Sequence, residues 1–191
     1  MTKGRLEAFS DGVIAIIITI MVLELRVPHE AALAALRPLI PKFMCYVLSF
    51  VMLGIYWNNH HHLLQATRHV DGRVLWANMH LLFWLSLVPF VTGWMGENNF
   101  AALPVAAYGA VMLLAAIAYY ILVRALIALH GEGSTIATAI GGDFKGKISI
   151  VIYVAAMLLA VVNPLLSGGL YVLVAVIWFI PDRRLERTVE R

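Results

Sequence analysis

Uncharged apolar runs of membrane-crossing length decide what this chain can fold into. A hydrocarbon core about 30 Å thick needs about 20 apolar helical residues to span it. Six segments near that length can be placed, at approximately 8–25, 43–63, 74–95, 102–126, 147–163 and 165–181. Little else remains among the 191 residues, of which 62% are hydrophobic and 13% charged, against roughly a quarter charged in soluble domains. Residues 1–191 therefore read as one all-α, polytopic membrane domain. Cys45 is the single cysteine and sits inside an apolar run, so it reads as a small buried hydrophobe without a disulfide partner.

Basic residues in the loops report orientation. With six spans, both termini share a side with the loops after the second and fourth segments. Eleven of the fourteen Lys and Arg residues fall there, from Lys3 and Arg5 through Arg68, Arg73, Arg124, Lys145 and Lys147 to the four arginines of the tail; Arg26, Arg37 and Lys42 lie opposite. The skew predicts cytoplasmic termini in a cell inner membrane, and it accounts for the net charge of +3 without any nucleic acid. The first segment could mimic a secretory signal peptide ending near Ala32-Leu33-Ala34, but Asp11 at its head and Arg26, His29 and Glu30 beyond it oppose cleavage. NPLLSGG, residues 163–169, is rich in turn formers and predicts a tight hairpin. No internal repeat is visible, which disfavours fused inverted-repeat transporters.

The first segment, FSDGVIAIIITIMVLEL, opens on Ser10 and Asp11 and carries one hydroxyl, Thr19, among isoleucines. On a helical wheel centred on Ile16, Ile20 falls near 40°, Leu23 near −20°, Gly12 near −40° and Thr19 near −60°, while Asp11 lies well over 120° away. The stripe and the acid thus serve different neighbours. From the residues alone, the stripe is a lipid-facing or packing surface. An acid within a span is expensive and usually pairs inside the bundle, although Asp11 sits close enough to the cytoplasmic end to be exposed there.

The second segment ends YWNNHHHLL, with His60, His61 and His62 in a row. Helical metal ligands need spacings of three or four to share a face, and no Cys or acid stands nearby to complete a coordination sphere, so no metal site is expected. His60 or His61, with Trp57 and Asn58, instead suits hydrogen bonding into the bundle at the depth where Asp11 enters. Asn78 and His80 lie early in the third segment, and a polar cluster of Arg5, Ser10, Asp11, a histidine and Asn78 is expected. GGDFKGKIS, residues 141–149, misses the phosphate-loop pattern because Ile148 stands where a hydroxyl is needed and no strand precedes it. It reads as a basic cytoplasmic turn. The tail RRLERTVER suits anionic lipid. No nucleophile–base pair is visible, so the chain is not expected to be an enzyme or to need a cofactor.

RLEAFSD, Arg5 to Asp11, has the form Arg-x-x-x-Phe-Ser-Asp at the head of a first membrane helix. It resembles the signature of the transmembrane protein 175 family of potassium channels. Trp57 followed by the histidines, and LWANMHLLFWLSLVPF in the third segment, strengthen the likeness. The resemblance implies a homotetramer with one six-helix repeat per chain, conducting potassium and related monovalent cations through a central pore lined by the first helix. It places the family's isoleucine constriction on Ile16 and a threonine layer on Thr19, with Ile20 and Leu23 on the same stripe and a further apolar ring at Leu23. Rings of four isoleucines make a narrow, poorly wetted constriction. Asp11 would lock the helix through Arg5 and the polar cluster, and Glu24 would gather cations at the outer mouth. His80 matches no family position and is given no role. The alternative reading is a proton-coupled transporter or proton-permeable channel using Asp11 and the histidines.

Overall fold

The computed structural model describes residues 2–131, 133, 134, 137 and 144–179. α1 (Lys3–Ile20) tightens into a 3₁₀ turn, Met21–Glu24. A second 3₁₀ stretch, Leu33–Leu39, leads into α2 (Ile40–Gln65). α3 (Gly72–Ser86) and α4 (Val88–Glu97) are two halves of one bent span. α5 (Ala102–His130), α6 (Phe144–Ala160) and α7 (Pro164–Phe179) follow. The chain therefore crosses six times, as the apolar runs predict. Lys3–Glu24, Leu33–Gln65, Gly72–Glu97 and Ala102–His130 are each long and apolar enough to cross a membrane; α7 is apolar but shorter.

Local chemistry sets the breaks. Asp71 caps α3, its Oδ1 accepting from the Val74 N–H at 2.9 Å. The third span bends at Leu87 because Pro89 has no N–H and its ring clashes with the carbonyl four residues back. The expected hairpin at 163–169 differs from what is found. Only Val161–Asn163 turn; Pro164 opens α7, and Asn163 Oδ1 accepts from the Leu166 N–H at 3.1 Å. Gly168 and Gly169 are helical, since membrane backbone must satisfy its own hydrogen bonds and a spanning helix tolerates glycine. Of the GGDFKGKIS stretch, 144–149 begin α6, while 141–143 and the charged tail lie outside the described residues.

α5 stands at the centre, packed on α3, α4, α6 and α7. The buried core runs through Tyr108, Met112, Tyr153 and Tyr171. Cys45 is buried as a small hydrophobe, 1% exposed. α1 lies at the edge, held by α2, α3 and α4 on one side only.

Candidate functional site

One side of α1 is covered and the other is open along its whole length. Leu6, Ser10, Ile14, Ile17 and Met21 face the bundle, with Ile14 0% exposed. Gly12, Ile16, Thr19, Ile20 and Leu23 form a continuous exposed stripe, with Ile16 61% and Leu23 75% exposed. Both stripes follow from the 3.6-residue period. Thr19 Oγ1 donates to the Ile16 carbonyl at 2.9 Å. Its hydrogen is thereby committed to the helix, and the hydroxyl presents oxygen lone pairs outward.

The polar residues behind α1 divide into two groups. In the first, His60 Nε2 lies 2.7 Å from Asn78 Oδ1, Asn78 Nδ2 donates to Ser10 Oγ at 2.9 Å, and Ser10 Oγ donates to the Leu6 carbonyl at 2.8 Å. An amide oxygen only accepts, so Nε2 of His60 carries the proton. Ser10, His60 and Asn78 are each fully buried, and together they join α1, α2 and α3.

The second group is more exposed. The Trp57 indole donates to Asp11 Oδ1 at 3.0 Å. Trp57 stacks on His61 with ring centroids 5.8 Å apart. His61 Nε2 meets the Gln65 amide at 2.7 Å, and its Nδ1 stands 3.5 Å from Glu7 Oε1, an electrostatic contact rather than a hydrogen bond. Arg5 is exposed and has no hydrogen bond or ion pair to Asp11 among the described residues. Asp11 is thus held by an indole instead of by the arginine.

The three histidines point three ways, as a 100° fan requires. His60 is buried against Asn78, His61 faces Glu7, and His62 meets His61 edge-on at 5.8 Å. Among the described residues no three His, Cys, Asp or Glu side chains converge to hold a metal. Asn58 is exposed; its neighbour Asn59 donates to the Ile55 carbonyl at 2.9 Å. His80 accepts from the Trp84 indole at 2.9 Å. Sequence reasoning missed Glu7 and Gln65. The signal was there, since each stands four residues from a residue already singled out, Asp11 and His61. At the other end of α1, Glu24 is exposed and shares a small cleft with Gly93, Lys42 and Glu97, the latter two ion-paired at 2.9 Å.

A six-span helical bundle with one edge helix, polar-locked behind and apolar in front, defines a polytopic α-helical membrane protein. A family model described as endosomal/lysosomal potassium channel TMEM175 matches residues 5–89. A potassium channel of Chryseobacterium sp. (strain P1-3) is 54% identical over 190 residues, covering 100% of this chain and 99% of the relative. The chain belongs to the TMEM175 family. The human endosomal/lysosomal proton channel TMEM175 is 37% identical over 84 residues, 36% of this chain and 17% of that protein. The crystal structure of a lysosomal potassium-selective channel TMEM175 homolog from Chamaesiphon minutus matches with a TM-score of 0.81 and 27% identity, covering 93% of this chain and 96% of that one.

Proposed function

We propose that this protein is a potassium-preferring cation channel of the cell inner membrane, a homotetramer that conducts passively through a central pore lined by α1. The observation that carries this reading is the division of α1 into a locked face and an open face. Fully buried hydrogen bonds fix its rotation from behind, and the stripe of Gly12, Ile16, Thr19, Ile20 and Leu23 is left exposed, without a packing partner among the described residues of its own chain. Four-fold symmetry turns that stripe into rings. Ile16, with Ile20 and Leu23, closes a narrow apolar constriction that gates by dewetting. Thr19 turns hydroxyl oxygens toward a partly dehydrated cation one turn away. Ser10, Asp11, His60, His61 and Asn78 position the helix and do not touch the ion. Arg5 stands at the cytoplasmic mouth, where the loop-charge skew puts both termini. No bond is made or broken, so the protein is not an enzyme. The potassium channel of Chryseobacterium, matched end to end, supports the choice of cation.

The test is potassium flux into liposomes containing purified protein, comparing wild type with Ile16→Asn, whose amide wets the ring. Wild-type flux that grows or loses selectivity in the variant is the expected result. Flux indifferent to Ile16 would move the constriction elsewhere, and absence of flux at every voltage and pH would defeat the channel reading. Proton flux in the same liposomes tests the second reading, which the half-buried Glu7–His61 contact and the named activity of the human relative favour.

A further inference from the structure

On a different face of α2 from the one that holds α1, four helices surround a cavity. It measures about 190 Å³ and lies between α2, α5, α6 and α7. We propose that it binds an anionic amphiphile, the acyl chain filling the cavity and the charged head resting on Lys147.

The walls specify the chain. Met52, Ile55 and Ile150 present apolar surface to the cavity. Several of the polar groups around it are paired within the protein, and the rings of Tyr56, Tyr120 and Tyr153 complete the lining. Trp178 Nε1 donates to Ser149 Oγ at 2.8 Å, Ser149 Oγ donates to the Lys145 carbonyl at 2.8 Å, and the Tyr119 hydroxyl donates to the Asn59 carbonyl at 3.3 Å. Carbon dominates the lining surface, so an occupant must be mainly hydrocarbon. Apolar cavities of about 150 Å³ stay dry and take up apolar molecules, and inside a bilayer the abundant apolar molecule is an acyl chain.

Lys147 specifies the head. It is exposed, lines the same cavity, and its side chain makes no ion pair or hydrogen bond among the described residues. It also lies in the first turn of α6, where the helix macrodipole is already positive. Two positive contributions at one point, with no acid ion-paired to Lys147 among the described residues, fit an anion. The geometry orients the ligand as well. Lys147 and Trp178 lie at the ends of α6 and α7 that share the α2 terminus bearing Asn59, whereas Met52 and Tyr153 lie about 9–10 Å deeper along their helices. The head is at the membrane surface and the chain points inward, as in a lipid leaflet.

The experiment uses delipidated whole protein in a neutral detergent, titrated separately with oleate, lysophosphatidylglycerol and zwitterionic lysophosphatidylcholine. Binding is read by native mass spectrometry and by the shift in thermal midpoint. Both anionic amphiphiles are expected to bind and stabilise, with the zwitterion weaker by about tenfold or more. Lys147→Gln, at an exposed position, should weaken the anionic ligands by about tenfold while leaving the additive-free midpoint unchanged. Ala116→Phe, which fills the cavity, should abolish binding of all three. Response to oleate alone would identify free fatty acid as the source, and response to lysophosphatidylglycerol alone would identify phospholipid. Equal binding of all three, or anionic binding that survives Lys147→Gln undiminished, overturns the proposal.

Discussion

Asn78 on α3 donates to the Ser10 hydroxyl on α1 at 2.9 Å, at a point where both side chains are completely buried. Its amide oxygen simultaneously meets His60 on α2 at 2.7 Å. One side chain therefore ties three spans together. Asn78→Ala strands the His60 Nε2–H in the interior. A buried orphan costs about 1–3 kcal/mol in soluble proteins, and interhelical hydrogen bonds in membranes average about 0.6 kcal/mol with a maximum near 1.7. The expected loss is about 1–2 kcal/mol, read as a lower thermal midpoint by fluorescence-detected size exclusion. Ser10→Ala should cost less, because it strands only the Asn78 Nδ2–H and leaves the contact between Asn78 and His60 in place. A loss for Ser10→Ala equal to that for Asn78→Ala would show that the bridge to α2 contributes nothing.

The neighbouring acid is held differently. The Trp57 indole is the group that donates to Asp11, and Trp57 is 43% exposed. Partial exposure discounts the contact, so Trp57→Phe is expected to cost less than about 1.5 kcal/mol. Asp11→Asn keeps an acceptor oxygen for the indole and should be milder than Asp11→Ala. Equal unfolding midpoints for the two Asp11 variants would mean that charge, not the hydrogen bond, is what the site requires.

Packing against α5 leaves no room at Gly109. A Cβ there would overlap the Tyr171 hydroxyl and approach Met157 Cγ to 2.8 Å. That hydroxyl donates to the Val105 carbonyl at 3.0 Å, so displacing it also breaks a buried hydrogen bond. Overpacking a tight interior costs typically about 1–3 kcal/mol. Gly109→Ala should therefore lower the thermal midpoint, and Gly109→Ala combined with Tyr171→Phe should recover part of the loss. No recovery in the double variant would place the clash on Met157 instead.

How far the sequence foretold this arrangement depends on which physical signal each feature carries. Span length and hydropathy are local, so the six crossings were legible, and so was the stripe through Ile16, Thr19, Ile20 and Leu23, because a wheel needs only one helix. Partner choice is not local. Ser10 and Asp11 are adjacent, yet 100° of rotation sends one to Asn78 and the other to Trp57. The choice between His60 and His61 needed the phase of α2 against α3, which only packing sets. Gly168 and Gly169 looked like turn residues because propensity learned from water overrates glycine as a breaker in a membrane helix. The cavity beside Lys147 had no sequence signal, since it is assembled from four helices whose relative depth no single segment encodes.

Thr19 offers the sharpest separation of structure from conduction. It is exposed, and its one hydrogen bond runs back to the Ile16 carbonyl. Thr19→Val keeps the side-chain shape, removes that internal bond and presents a methyl where oxygen lone pairs pointed. A surface change of this kind stays within about 0.5 kcal/mol, so expression, assembly and thermal midpoint should match wild type. Conduction should not. If α1 lines the pore, each subunit loses one oxygen from the layer that replaces ion hydration. Bi-ionic reversal potentials in planar bilayers should then show a reduced preference for potassium over sodium while current persists through the Ile16 ring. A variant of unaltered stability and unaltered reversal potential would remove Thr19 from the permeation path and, with it, the reason for a hydroxyl on the open face of α1.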